Sequence, residues 1–384
     1  MKKITIGLIP SPDVSQKLMD KIIDKLKINI AKKLDKNIDW QFEVKVNTFV
    51  GAAEYVNETI QKVIEMKERN NWDYAVSIND LPSISEGKVV ISDIGTKDGV
   101  GFVSLPSFGA FPFKKRIVKA ITYIIELLYN KEYKKAEKIN KKINWNYIFS
   151  NVKHVTPEKA VKTDVRLILQ SRIIGLLRVL AGMVYANKPW KTLGSFKTIL
   201  TLAFATGTYI SIFSTPWQLS VAYTPGRFVL LMSLSMIGMV VWMIFAHHLW
   251  EKSTSKTQIQ YRRLYNMTTV MTLAFITVMN YLVLFVVFAL SISIFVPEGI
   301  FDAATKEGAN NSIENYLRLA WLATSLGLLV GAIGTTVEEE DEIRKITYSY
   351  RQRNRYYETE QGEDEFEDKE SYGGVQQTHK EQDD

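Results

Sequence analysis

Three aspartates and two serines are the first residues of this chain whose types and placing suggest chemistry. Asp80, Asp93 and Asp98 fall at the ends of short apolar runs that read as strands, and Ser104 and Ser107 lie in Val103-Ser104-Leu105-Pro106-Ser107. Ligand sites of α/β proteins form at strand ends. Carboxylates placed there can take up protons or hold polar ligand groups. Asp80, Asp93 and Ser104 are therefore the candidate ligand-binding residues of the N-terminal part. Turn formation and helix capping call for the same residue types and are the plainer explanation.

Four histidines offer further options: His154, His247, His248 and His379. His247 and His248 close a long apolar run beside Trp250, where a pH sensor or a metal site is conceivable. Adjacent helical residues point about 100° apart, however, and only Glu251 stands near as a carboxylate, so anchoring at a membrane surface is the favoured role. Asn280 sits inside another apolar run, where a side-chain amide needs a partner across a helix interface. Arg318 stands at the mouth of the last run, which carries Gly327, Gly331 and Gly334. Glycines four apart permit close helix approach, within a bundle or in a dimer.

Much chemistry is excluded. The chain has no cysteine, so disulfides, thiol nucleophiles and Cys-ligated metals are ruled out. Ile9-Pro10-Ser11-Pro12 occupies the place of a phosphate-binding glycine loop, and there is neither a nucleophile elbow nor an H-E-x-x-H run. No catalytic residue, metal ligand or cofactor is assigned.

The elements that must position these residues fall into two halves. Four apolar runs cover about 198–217, 228–249, 267–296 and 318–337, all uncharged apart from Arg318 at the start of the last. A bilayer core of about 30 Å needs roughly 20 apolar residues, so four transmembrane helices are expected. The third run has 30 residues and is long enough to tilt or project. Basic residues flank alternate ends: Lys188, Lys191 and Lys197 before the first run, Lys252, Lys256, Arg262 and Arg263 between the second and third, and Arg344 to Arg355 after the fourth. The remaining connections hold Arg227 and Lys306, and 297–315 is acidic. The positive-inside rule then places both termini in the cytoplasm of a multi-pass cell-membrane protein.

Residues 1–130 read as a cytoplasmic α/β or α+β domain. Strands are expected at Lys3–Ile9, Trp40–Val46, Tyr74–Ile78, Lys88–Ile94 and Gly101–Leu105, with helices from Asp13 to Leu34, Gly51 to Asn70 and Phe113 to Tyr129. Residues 131–164 are lysine-rich and read as a helical connector. Residues 165–190 read as an amphipathic interfacial helix whose Arg166, Arg172 and Arg178 reach anionic headgroups. The tail 338–384 is charged and is expected to be disordered from about 358. Residues 1–165 hold 28 Lys and Arg against 20 Asp and Glu. Without interleaved aromatic and basic motifs, that excess points to solvated helix faces and not to nucleic acid.

Two resemblances follow from particular runs. Asn79-Asp80-Leu81, Gly101-Phe102-Val103-Ser104-Leu105 and Arg116-Ile117-Val118-Lys119 together resemble the core of archaemetzincin-type zinc peptidases. Tyr123-Ile124-Ile125-Glu126-Leu127 stands where that family carries its zinc motif, so the resemblance, over about 50 residues, implies a catalytically dead relative. The whole chain is similar to a group of uncharacterised Gram-positive bacterial multi-pass membrane proteins, sometimes labelled folate dehydrogenase-like. That similarity rests on Trp72-Asp73-Tyr74-Ala75-Val76 with Asp80-Leu81-Pro82, Asn187-Lys188-Pro189-Trp190, Ala246-His247-His248-Leu249-Trp250-Glu251 and Tyr316-Leu317-Arg318-Leu319-Ala320-Trp321-Leu322. It implies architecture more than activity, since no dinucleotide loop accompanies it.

The expectation is a non-enzymatic integral membrane protein whose cytoplasmic α/β domain binds a ligand or partner, with possible homo-oligomers through the glycine-bearing span. The alternatives are a transporter or channel component, and then a membrane-anchored enzyme working through Asp80 and Asp93.

Overall fold

The computed structural model describes residues 2–35, 37–47, 56–111, 113–130, 152–157, 163–251, 259–305, 312–333 and Thr347. The chain divides into two compact units between Ala186 and Asn187.

The first unit is built on a mixed sheet. Its strands are β1 (Lys2–Pro10), β2 (Ile38–Val44), β3 (Tyr74–Asn79), β4 (Ser83–Ser85), β5 (Lys88–Gly95), β6 (Val100–Ser104), β7 (Val152–Val155) and β8 (Val165–Leu169). The order is β2-β1-β3-β6-β5-β8-β7, with β4 paired to β5. β2, β1, β3 and β6 run parallel, whereas β5, β8 and β7 are antiparallel to their neighbours. Buried on both faces, the parallel strands read as nearly unbroken apolar runs: Ile6, Leu8 and Ile9 of β1 and Ala75, Val76 and Ile78 of β3 are all fully buried.

Helices cover both faces. α1 (Val14–Lys33) buries Val14, Leu18, Ile22, Leu26 and Ile30 at four-residue spacing and packs on α3 (Phe113–Asn130). α2 (Val56–Arg69) sets Ile60 and Val63 against Trp72, Ala75 and Phe102. A Cβ at Gly101 would stand 2.8 Å from Ile124 of α3. Gly101 pairs in register with Val76, and Val100 with Ala75. Because successive strand residues face opposite ways, α3 lies on the face opposite α2.

Two expectations are corrected here. Residues 165–169 are not the start of an interfacial helix but strand β8, inside the sheet. The reason is that Val165, Leu167, Ile168 and Leu169 are all buried, with Arg166 half-buried among them, and a five-residue apolar strand is too short to stand out from the helix that follows. The connector likewise contains strand β7 where helix was expected, and 131–151 lie outside the described residues. α4 (Arg172–Asn187) then packs its small residues inward: a Cβ at Gly182 would stand 2.2 Å from the Pro106 carbonyl oxygen. The glycine side of α4 therefore meets the domain. Ile173 and Leu177 remain 75% and 57% exposed.

The second unit is helical: α5 (Lys197–Ile212), α6 (Ser214–Ala222), α7 (Pro225–Ala246), α8 (Ile259–Phe295), α9 (Glu298–Thr305) and α10 (Ser312–Ile333). Three helices, α7, α8 and α10, are long and apolar enough to cross a membrane. The expected first span is instead the pair α5 and α6, bent by 89° at Phe213, and it makes a fourth candidate only if the pair counts as one span. Extended backbone at Phe213 (φ −90°, ψ 142°) breaks the helix, and the Trp217 indole donates to the Ser211 carbonyl across the break at 2.7 Å. α8 has 37 residues, about 55 Å at 1.5 Å per residue. Phe288 of α8 lies against Gly207 and Phe204 of α5, so the surplus length of α8 falls at the end bearing Arg262 and Arg263. Lipid-type surfaces are displayed by Leu230, Leu234, Ile237 and Phe245 of α7 and by Leu282, Val286 and Leu290 of α8, all exposed. Gly334 and, apart from Thr347, the tail 338–384 lie outside the described residues.

Candidate functional site

β1 is flanked by β2 and β3, which the chain reaches through α1 and α2 in turn. Strand order therefore reverses beside β1, and the crevice beyond the carboxyl ends of β1 and β3 is a topological switch point. A hydroxyl-rich cluster occupies it. Ser11 follows β1, its amide donating to the Ile78 carbonyl at 2.9 Å. Its hydroxyl donates to Asp80 Oδ1 at 3.1 Å and lies 2.7 Å from the Ser15 hydroxyl. Ser15 is in the first turn of α1, whose positive dipole end favours the Asp80 carboxylate. Asn79 Oδ1 accepts from the Leu81 amide at 2.9 Å, while its Nδ2 is buried without a hydrogen-bond partner. Ser104, at the end of β6, donates to the Leu81 carbonyl at 2.9 Å, and Ser107 donates to the Val90 carbonyl at 2.7 Å. Ser11, Ser15, Asn79, Asp80, Ser104 and Ser107 are all fully buried.

Of the three candidate ligand-binding residues, the fold thus brings Asp80 and Ser104 to one sheet edge and leaves Asp93 out. Asp93 lies within β5, not beyond its end, and pairs in register with Arg166 of β8. The guanidinium donates to both carboxylate oxygens, Nε at 2.6 Å and Nη2 at 3.2 Å, and Nη1 donates to the Ser85 hydroxyl at 2.8 Å. Burial pushes the Asp93 carboxyl above its ordinary value, against the opposing pull of Arg166. Arg166 is therefore a cross-strand partner inside the sheet and not a headgroup ligand. Arg178 is half-buried: its Nη1 is covered, and its stem lies 3.0 Å from where a Cβ on Gly109 would be. Only Arg172 stays exposed. Asp98 lies exposed in the β5–β6 turn, at the opposite edge from Asp80.

His154, expected in a connector away from any pocket, lies on β7 with Nε2 2.7 Å from the Tyr123 hydroxyl. His247 is buried at the end of α7. His248 takes the left-handed conformation (φ 51°), and the Leu249 amide reaches back to the Ile244 carbonyl at 3.0 Å, a helix-ending arrangement usually made with glycine. Among the described residues, no group of three or more His, Asp or Glu is placed to hold a metal ion.

In the second unit Arg318 lies within α10, not at its mouth. It donates to the Ser220 and Val221 carbonyls at 3.0 and 3.1 Å and also to that of Tyr223, while its guanidinium carbon lies 5.5 Å from the Phe228 ring centroid. It thereby satisfies the end of α6. Gly327 and Gly331 face α5, so their spacing serves contact within the bundle. Asn280 is fully buried in α8, with neither Nδ2 nor Oδ1 hydrogen-bonded.

Sequence reading missed Ser11, Ser15 and Asn79. The Ser11-x-x-x-Ser15 spacing immediately after β1 was the available signal.

Fold and site define a class: an α/β domain with a switch-point polar cluster, followed in the same chain by helices compatible with a membrane. Comparison with protein families, curated proteins and solved structures gave no match.

Proposed function

We propose that this chain is a membrane-anchored binding protein, non-enzymatic, whose α/β domain takes a small polar ligand at the β1–β3 switch point. The observation that carries the reading is the Ser11–Asp80–Ser15 cluster beside the unbonded Asn79 Nδ2. A ligand that accepts from Asn79 and donates to Asp80 suits it: a neutral or cationic molecule bearing hydroxyl or amino groups. With four spans and both termini cytoplasmic, the domain faces the inner leaflet. α4 then lies on that leaflet through Ile173 and Leu177, joined by Phe111, which is 76% exposed and rests against Tyr185, and Arg172 meets anionic headgroups. Membership of the Gram-positive membrane family, and kinship with archaemetzincin-type zinc peptidases as a catalytically dead relative without the zinc motif, belong to the same reading. The test is native mass spectrometry of the full chain from mild detergent. A small molecule held by the wild type and lost in Asp80→Ala supports it, and identical spectra retire it.

A second reading, a transport component, draws on the α5–α6 break and on Asn280, since broken helices and buried polar groups accompany solute paths. Protein-dependent flux in proteoliposomes, abolished by Asn280→Leu, would establish it.

A further inference from the structure

The buried amide of Asn280 is accompanied by a second partnerless group one helical turn away. Thr277 Oγ1 is buried and unbonded, and both residues have no exposed surface. Residues three apart share a helix face, so the three polar atoms lie on one inner face of α8. Three buried threonines of this unit behave differently: Thr268, Thr269 and Thr324 donate to carbonyls one turn back, at 2.8, 3.1 and 2.6 Å.

The surroundings form a polar layer. Tyr281 of α8 meets Ser325 of α10, hydroxyl to hydroxyl, at 2.8 Å. Phe228 stacks on Trp321, and Gly238 lies against Leu329, so α7 and α10 run in the same direction. Buried Ser235, one turn before Gly238, therefore stands at the height of Ser325. Leu273, Ile276 and Leu284 close the layer on α8.

We propose that Thr277 and Asn280 form a binding site for a water molecule inside the bundle. The partnerless set offers donors and an acceptor through the amide, plus a hydroxyl that does either. Water answers all of these with its two to four bonds. A metal cation would meet the Oδ1 and Oγ1 atoms but be repelled by the Nδ2 hydrogens. Met267–Phe295 contains no charged residue to offset it. The proposal rests on the bundle lying in lipid, which resistance to carbonate extraction tests separately.

The experiment is water-edited solid-state NMR of the full-length chain in lipid nanodiscs, with 15N-labelled asparagine. Asn280→Gln identifies the Asn280 side-chain amide signal by removing it. The expected result is magnetisation transfer from water to that amide within the mixing times that light up exposed Asn37, reduced at least twofold by Thr277→Val. No transfer, or transfer unaffected by Thr277→Val, overturns the site. A shift of the amide signal when sodium and potassium are replaced by N-methylglucamine overturns it in favour of a cation. Should the glutamine variant fail to insert, Asn280→Leu identifies the signal instead, and Thr277→Val, close to isosteric, still decides the site.

Discussion

Gly327 and Ala203 cross so closely that a Cβ on Gly327 would stand 2.6 Å from the Ala203 carbonyl oxygen. No side chain can share that space with backbone, so α5 and α10 are separated by the thickness of a glycine. Gly327→Ala should force the helices apart and lower stability by about 1–3 kcal/mol, and Gly327→Leu should abolish the folded bundle. Thermal unfolding in detergent measures both. Equal midpoints for wild type and the alanine variant would contradict the contact.

Arg318 holds the end of α6 through three carbonyls. Arg318→Met leaves those acceptors without a donor, and each buried acceptor so stranded costs about 1–3 kcal/mol. The variant should unfold earliest around α6, seen as raised amide exchange in 214–222. Arg318→Lys, a point donor without the guanidinium fork, should fall between.

Asp93 and Arg166 give a pH signature. Burial raises the Asp93 pKa, so the native state holds this proton more tightly than the unfolded chain does. The stability this contributes is complete below the ordinary aspartate value and is lost as pH rises through the raised one. Arg166→Leu removes the opposing pull. Its deficit should be smallest in acid, where the carboxyl is neutral, and grow to about 3 kcal/mol at neutral pH, as for a buried pair missing one partner. Denaturation midpoints across that range check this, and parallel curves for the two proteins would refute it.

The absence of native cysteine makes topology directly testable. Lys97→Cys lies in the exposed β5–β6 turn and Glu298→Cys at the exposed start of α9. A membrane-impermeant maleimide added to intact cells should label the second and spare the first. Labelling of both, or the reverse pattern, would overturn the cytoplasmic placement.

If α4 rests on lipid, Ile173→Asp and Leu177→Asp together should leave folding intact, since both side chains are exposed. They should also protect the helix less from proteolysis in anionic vesicles. Unchanged cleavage with and without vesicles would remove the leaflet contact.

What was legible in the sequence followed the length of each pattern. α1 advertised itself through Leu18, Ile22, Leu26 and Ile30, and the long apolar runs of α7, α8 and α10 could hardly be missed. β8 was hidden because its five residues, apolar but for Arg166, run almost straight into the α4 helix, so Arg166 looked like a helical cation when it is a strand residue paired with Asp93. The break at Phe213 left no signal, because Pro216 follows it and can begin a helix as well as end one. Asp80 and Ser104 were visible as strand-end residues. Their company of Ser11 and Ser15 depends on two distant strands lying side by side, which local pattern cannot reveal.

The unequal lengths of α5 and α8 carry a mechanical consequence. Measured from their contact at Gly207 and Phe288, α8 outruns α5 by about 19 residues, roughly 28 Å of unbroken helix. That length is packed and not free: Tyr261, Leu264 and Tyr265 are buried and Asn266 is tied to Glu251, so a change of tilt among the apolar helices is carried along one stiff lever to the turn bearing Arg262 and Arg263.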